Sequence, residues 1–419
     1  EMPDPEKLRA EVSGLHDEMV ATLVDLVKIP AISPDYGYEG EYDKAAKLKE
    51  ILGKWPFDRI EWYDSPDERA KKGVRPNLLA YYEGEDPEAP RLWILTHLDV
   101  VPPGDLSKWT VTDPFTPVVK DGKVYGRGTE DNGQSVVSSL YAVKALMNLG
   151  VRPKGSIVLA FVSDEETGSA YGLQWLVENH PDLFRENDLV LVPDGGNEEG
   201  TFIETAEKSI LWLKVRVEGK QVHASMPEKG LNAHRIALEY ASRLDKLLHE
   251  KYDSKDEVFD PPVSTFEPTM ASNPSGSPNI VPGEHEVVFD CRILPGYTTE
   301  EVLRDAQVLV EKVREEFASG DLPRFHFKIL QRLDAPKPTD PDSPIVKSLK
   351  KAVLDLRGKE ATVGGIGGGT FAAFFRKRGI PAVVWATLDE KAHQPDEYAK
   401  VENLVEDARV MASLPLFYL

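Results

Sequence analysis

His97, Asp99, Asp131, Glu165, Glu166 and His393 are far apart in the chain, yet each stands where a metal ligand or an acid–base group would be useful. Imidazole nitrogens and carboxylate oxygens are the donors that hydrolytic divalent cations accept, and a pair of such cations would need a set of this kind. His97-Leu98-Asp99 follows the apolar run Leu92-Trp93-Ile94-Leu95, and Glu165-Glu166 follows Ile157-Val158-Leu159-Ala160-Phe161-Val162. Both polar clusters therefore fall at the ends of buried strands. Strand ends in an open α/β sheet are where ligand sites collect.

Each motif also has a plainer reading. A lone His97 would be a satisfied structural histidine. Asp99, two residues on and on the same strand face, can take the second ring N–H of a ligating imidazole, though a turn aspartate would look the same. Asp131 lies in Gly126-Arg127-Gly128-Thr129-Glu130-Asp131-Asn132-Gly133 ahead of an apolar helix, so a helix N-cap is the simple explanation. The loop lacks the Gly-Lys-Ser/Thr ending of a phosphate loop, but it is rigid enough to hold a carboxylate between two cations. Asp164-Glu165-Glu166 is the strongest local signal, because three adjacent acids repel unless a cation or solvent separates them. An exposed loop is the alternative; with a metal present, one carboxylate ligates and its neighbour takes a proton from water. Asp194, in Pro193-Asp194-Gly195-Gly196, is a further oxygen ligand or a turn former. His393, in Ala392-His393-Gln394-Pro395-Asp396-Glu397, follows the strand Ala382-Val383-Val384-Trp385-Ala386 and so stands at another strand end. His223, in Gln221-Val222-His223-Ala224-Ser225, belongs to a later region and could polarise a carbonyl oxygen instead. The other six histidines read as structural or surface groups.

The elements that must position these residues alternate. A helix is expected from Pro5 to Ile29, another from Tyr42 to Gly53, and strands at Asn77–Tyr82 and Leu92–Leu95. A buried helix then runs from Gly133 to Leu149 with Gly150 as its stop, followed by strand 157–162, a helix near Gly168–Asn179 and the strand Leu189–Val192. This order predicts an α/β fold with helices on both faces of a mostly parallel sheet. After Glu207 the pattern changes. Strand Ile210–Val217, helix Asn232–Leu248, strand Val263–Phe266, strand Glu286–Arg292, helix Thr299–Phe317 and strand Arg324–Leu330 give a β-α-β-β-α-β order, the ferredoxin-like α+β arrangement. The expected division is a catalytic domain of residues 1–207 and 333–419, interrupted by an inserted domain of residues 208–332. Ala335-Pro336-Lys337-Pro338-Thr339-Asp340-Pro341 reads as a stiff linker before a helix at Ile345–Leu356.

Composition excludes several function classes. The chain is 41% hydrophobic and 29% charged, which describes a folded soluble protein. With 71 acidic against 50 basic residues its formal charge is −21, so nucleic acid, which needs a basic footprint, is not an expected partner. No apolar run approaches the ~18 residues of a membrane helix, and the acidic start lacks a signal peptide's basic and apolar regions. Glu1 ahead of Met2 reads as an added residue. Cys291 is the single cysteine, so no internal disulfide can form and a reducing cytoplasm is the expected location. Its apolar strand-like setting predicts an inert buried thiol.

Taken in order, Thr96-His97-Leu98-Asp99-Val100-Val101-Pro102, Gly126 to Asp131, Asp164-Glu165-Glu166-Thr167-Gly168, Pro193-Asp194-Gly195-Gly196, His223 and His393 resemble the M20 family of zinc peptidases and deacylases. The resemblance covers almost the whole chain and implies a catalytic domain with an inserted lid. It implies two zinc ions per chain, with cobalt or manganese as substitutes: His97, Asp131 and Asp194 on one, and Asp131, Glu166 and His393 on the other. By the same resemblance Glu165 is the general base, Asp99 the partner of His97, and His223 the lid histidine that stabilises the oxyanion. Asn279, Arg292 and the Gly367-Gly368-Gly369-Thr370 loop of the catalytic domain match substrate-contacting positions, with Gly369 and Thr370 at the loop's end. The plainer readings of these are a turn asparagine, a surface salt bridge and a flexible connector. A cis peptide between Asp131 and Asn132 is also implied. In the family, Asp at the position of Asp194 is the dipeptidase and aminopeptidase pattern, whereas deacylases and carboxypeptidases usually carry Glu. The short lid matches dimeric members, deacylases among them, that pair through their lids and supply this histidine in trans, so the resemblance implies a homodimer in which His223 of one chain completes the site of the other. The expected substrates are short peptides, with N-acyl amino acids as the alternative. A non-catalytic metal-binding protein would be expected to lack Glu165 or a ligand, and none is missing.

Overall fold

The computed structural model describes residues 3–274, 276–318 and 320–419; Glu1 and Met2 lie outside these, as do Ser275 and Ser319. The chain forms two compact units. The first runs to Thr205 and resumes over Thr339–Val363 and Thr370–Leu419; the second comprises Ala206–Pro338 and Gly364–Gly369. Gly369 therefore falls in the second unit and Thr370 in the first.

The first unit is built on an eight-stranded sheet. Its order is Arg59–Pro66, Val74–Tyr82, Ile157–Val162, Leu92–His97, Leu189–Val192, Ala382–Val384, Phe202–Glu207 and Thr362–Ile366. The central four strands are mutually parallel, and antiparallel pairings flank them. Every residue of Leu92–His97 and Ile157–Val162 is buried, as strands covered on both faces require. Alternate residues serve two cores. Ile94, Leu159, Leu191 and Val383 join helical residues such as Leu140, Leu349 and Leu404 on one face. Trp93, Val158, Val190 and Val384 meet Leu173, Leu176, Phe371 and Phe375 on the other. The helix Gln134–Leu149 ends as expected at Gly150, which takes φ 66° so that its N–H reaches the carbonyls of Leu146 and Met147.

Some local readings change. The helix expected over Pro5–Ile29 is two, Pro5–Gly14 and His16–Val27, broken at Leu15, where ψ moves to 3°. Leu8, Val12, Met19 and Leu23 are all fully buried, so both helices keep an apolar face on the core across the break. The helix expected near Gly168 begins only at Leu173, because Asp164 to Gly172 are taken up in turns. Strands Arg59–Pro66 and Phe202–Glu207, and a small sheet of Val118–Lys120, Lys123–Tyr125 and Tyr398–Lys400, have no counterpart in the expected element order.

In the second unit four antiparallel strands lie in the order Thr265–Ser272, Glu284–Ile293, Ser209–Glu218, Arg324–Leu333. With helices Ala233–Lys251 and Thr299–Glu316 this is the ferredoxin-like order and topology. The second strand starts two residues later than expected and runs to Ser272. Leu211, Leu213, Val215, Val287, Phe289 and Cys291 alternate toward Ile236, Tyr240, Val302 and Ala306, so the helices cover one face of the sheet. Cys291 is fully buried and its thiol is pushed up to about 12 by burial, as an inert core cysteine should be. Among the described residues no helix is long and apolar enough to cross a membrane.

Candidate active site

The first unit alone brings six donors together. His97 ends its strand fully buried, and its Nδ1 lies 2.9 Å from the backbone oxygen of Asp99. Donation of an Nδ1–H to that carbonyl orients the ring and turns Nε2, the nitrogen a metal would take, toward the carboxylates. Around Nε2 stand Asp131 Oδ1 at 3.0 Å, Asp194 Oδ2 at 3.3 Å, Glu165 Oε2 at 3.4 Å and Glu166 Oε1 at 4.0 Å. The other oxygen of Asp131, Oδ2, is 2.9 Å from His393 Nε2, which is also 3.1 Å from Glu166 Oε2. One carboxylate thus faces two imidazoles.

Backbone geometry aims these groups. Asp131 is not the N-cap of the following helix, whose cap position is Gly133 without any side-chain bond. The Asp131–Asn132 peptide is cis, as the resemblance implied. Asn132 ties three segments: its Oδ1 accepts the N–H of His97 at 3.0 Å, and its Nδ2 donates to Pro193 O at 3.0 Å and to Asp194 Oδ1 at 3.2 Å. Asp164 takes φ 66°, a left-handed conformation unusual for a side-chain-bearing residue. It is turned inward rather than exposed, accepting from Arg75 at 3.2 Å and from the Tyr171 N–H at 2.9 Å, while its own N–H donates to Glu41 at 2.8 Å. The carboxylate of Asp99 lies 3.3 Å from His97 Nδ1, but its closer contacts are the N–H groups of Glu165 at 3.0 Å and Glu166 at 2.9 Å. Asp99 therefore holds both glutamates as well as bordering the histidine.

The electrostatics follow from crowding acids where solvent reaches them only in part. Burial raises Glu165 well above the ordinary carboxylate range, helped by Glu166, Asp194 and Asp131. Burial likewise raises Glu166 and lifts Asp194 to about 6. Asp131 goes the other way: burial opposes its ionisation, but hydrogen bonds from His393 and His97 outweigh it and hold the group well below its usual value. Two sets of three, His97-Asp131-Glu166 and His97-Glu165-Asp194, have ligand atoms close enough for one ion. Mutually repelling carboxylates with interleaved imidazoles, their oxygens 2.9–4.0 Å from ring nitrogens, fit divalent cations.

Four contributors carried no role in the sequence reading. Asn132 was a loop residue there. Glu41 and Arg75 are fully buried and bonded at 2.6 and 2.9 Å, and they brace Asp164. Glu397 is fully buried and gathers N–H groups of the Asp131 loop. Its place four residues after His393 was the available signal.

The remaining expected residues are divided between the units. Thr370 accepts the N–H of Ala372 at 3.2 Å in the first. In the second, His223 is exposed on a two-residue strand paired with Ile280–Val281, and the adjacent Asn279 carbonyl accepts the N–H of Ala224 at 2.9 Å. His223 Nδ1 faces the Ser225 N–H at 3.2 Å and its Oγ at 2.8 Å. Arg292 grips Asp290 through two nitrogens at 2.7 and 3.1 Å and donates to Gly367 O at 3.0 Å, two residues from Gly369.

Comparison with known proteins places this architecture. A family model described as peptidase family M20/M25/M40 matches residues 93–416. An uncharacterized metallohydrolase of Methanocaldococcus jannaschii is 41% identical over 94% of this chain and 98% of its own. A succinyl-diaminopimelate desuccinylase of Acinetobacter baumannii is 28% identical over 93% of this chain and 95% of its own. The solved structure of the dipeptidase Dug1p of Saccharomyces cerevisiae superposes with a TM-score of 0.76, at 17% identity, over 99% of this chain and 98% of that one, a likeness of fold. With the carboxylate–imidazole cluster inside the matched segment, the chain belongs to peptidase family M20/M25/M40 and is a metal-dependent hydrolase of amide bonds.

Proposed function

We propose that this enzyme hydrolyses short peptides, of dipeptide or aminopeptidase type, with a pair of divalent cations. The carrying observation is Asp131, whose two oxygens lie 3.0 Å from His97 and 2.9 Å from His393, the disposition a bridging carboxylate needs. His97, Asp131 and Asp194 would hold one cation and Asp131, Glu166 and His393 the other. Zinc is the proposed metal, with cobalt or manganese as substitutes. Held there, such cations supply Lewis acidity that polarises an amide carbonyl and acidifies water. Glu165 takes the water's proton and returns it to the leaving amine nitrogen. Asp99 fixes the Glu165 backbone while bordering His97. Ser225 donates to His223 Nδ1, so Nε2 carries the ring proton and can donate to the oxyanion. Asn279, Arg292, Gly369 and Thr370 would contact the substrate.

Asp194 and the likeness to a dipeptidase fold support the peptidase reading. The N-acyl-amino-acid deacylase reading draws on the 28% identity with a desuccinylase. A cation-reconstituted enzyme offered dipeptides, tripeptides, N-acetyl and N-succinyl amino acids should show its highest kcat/KM on dipeptides. Highest kcat/KM on an N-acyl amino acid would replace the first reading with the second, and no amide hydrolysis would overturn both. We further propose a cytoplasmic homodimer paired through edge strands of the second unit, in which the partner supplies His223. The sheet ends in strands Thr265–Ser272 and Arg324–Leu333, where Met270, Ile329 and Leu330 are exposed.

A further inference from the structure

We infer that Glu130 and Glu397 are positioning residues forming a reciprocal clasp between the loop that carries Asp131 and the loop that carries His393, and that uptake of a second cation depends on it. Each glutamate belongs to one loop and binds the backbone of the other. Glu397 Oε1 accepts from Arg127 Nη1 at 2.9 Å and the Gly128 N–H at 3.1 Å; its Oε2 accepts from the N–H groups of Glu130 at 2.9 Å and Asp131 at 3.0 Å. In return Glu130 accepts the N–H of Asp389 at 2.9 Å and of Lys391 at 2.5 Å. Both side chains are buried, so these bonds are made away from competing water.

The loops have little reason to hold these shapes by themselves. Glu390, His393 and Asp396 all adopt positive φ, 60°, 64° and 57°, in a region that side-chain-bearing residues seldom occupy. Gly128, at φ 87°, lets the Asp131 loop double back, and a Cβ there would come within 2.3 Å of Val100. The sheet that pairs Lys123–Tyr125 with Tyr398–Lys400 brings the two loops together, and the glutamates fix the atoms beyond its end. Within the clasp, a carboxylate one residue from Asp131 grips the segment leading to His393, while a carboxylate four residues past His393 grips the peptide of Asp131 itself.

This inference rests on the ligand reading above, in which Asp131 and His393 share one cation. Its test is titration of the metal-free protein with cobalt(II), following both binding steps by calorimetry and by cobalt absorption. Glu130→Gln keeps volume and one acceptor, and so preserves the fold, but it deprives the His393 loop of one N–H acceptor. It should weaken one binding step by roughly 10–100-fold, the usual effect of losing a group that orients a ligand, and leave the other close to the parent's. Glu397→Gln turns an amide NH2 toward peptide donors and should weaken both steps. Asp188→Asn is the control for general loosening: Asp188 is an equally buried acceptor, bound to Arg91 and Trp93 and placed before the strand that leads to Asp194. It should lower the melting temperature without changing either step. Two binding steps in the parent that persist unaltered in Glu130→Gln, or that weaken equally in Asp188→Asn, overturn the clasp alone. A parent that never takes a second cation overturns the ligand reading and the clasp with it.

Discussion

Glu165 and Glu166 are the same side chain one peptide apart, and only their surroundings separate them. The Glu166 carboxylate sits 3.1 Å from His393, while Glu165 Oε2 lies 3.4 Å from His97 and beside Asp194. Glu165→Gln should therefore retain the protein's full cation content in elemental analysis and lower kcat by ~10²–10⁴, the range for loss of a general base. A kcat within tenfold of the parent would remove Glu165 from that role. Glu166→Gln should instead lower the cation content, and an unchanged stoichiometry would exclude it as a ligand. Cys291, with its thiol pushed up to about 12, should resist alkylation at pH 8 in the folded protein and react fully in guanidinium. His97, Asp131, Glu166, Asp194 and His393 could be picked out of the sequence because each is a polar residue at the end of an apolar strand or ahead of an apolar helix. Glu397, Glu41 and Arg75 escaped, because a buried charged residue has the same letter as a solvated one. What gives it a role is a partner distant in sequence, 267 residues for Glu130 and 34 for the Arg75–Glu41 pair.

The turn after strand Ile157–Val162 is shaped from outside. Arg75 sits on the neighbouring strand Val74–Tyr82, fully buried, and bonds Glu41, Asp67 and Asp164. Arg75→Leu would leave Glu41 and Asp164 buried without their counter-charge, while Asp67 keeps Arg69. It should cost about 3–5 kcal/mol in urea unfolding, the scale for breaking a buried pair from one side. A loss under about 1 kcal/mol, the scale of an exposed pair, would mean that water reaches the network. Periodicity revealed the apolar strands and the long helix Gln134–Leu149, since their patterns are set by burial along the element itself. The break at Leu15 escaped it because the apolar residues on either side are buried alike. The short strands Val118–Lys120 and Lys123–Tyr125 escaped because three residues carry no period.

At the scale of the whole molecule, metal and fold are linked. The cluster concentrates acids whose ionisation burial opposes, so cations that replace their protons should stabilise the native state by RT ln(1 + [L]/Kd). Removing metal with a chelator should abolish activity and lower the melting temperature by several degrees, both restored by zinc, cobalt or manganese. An unshifted melting temperature would show that the cluster is not a cation site. The proposed dimer calls for a mixing experiment. Inactive His223→Ala chains combined with inactive Glu165→Gln chains, under conditions that allow exchange, should regain activity through one intact site per mixed dimer. Demonstrated mixed dimers without recovered activity would place His223 in its own chain's site or remove it from catalysis.

The interruption of the first unit by the second has a consequence for biosynthesis. Strand Leu189–Val192 must pair with Ala382–Val384, and Asp131 must meet His393, yet the residues of the whole second unit are translated in between. At ~5–20 residues per second the ribosome spends roughly 7–28 s on those residues. Throughout that time the growing chain carries an unfinished sheet and an acidic cluster that lacks only His393. On the proposed ligand set, hydrolytic competence arrives late in synthesis, so a chain halted before His393 emerges should be inactive in amide hydrolysis.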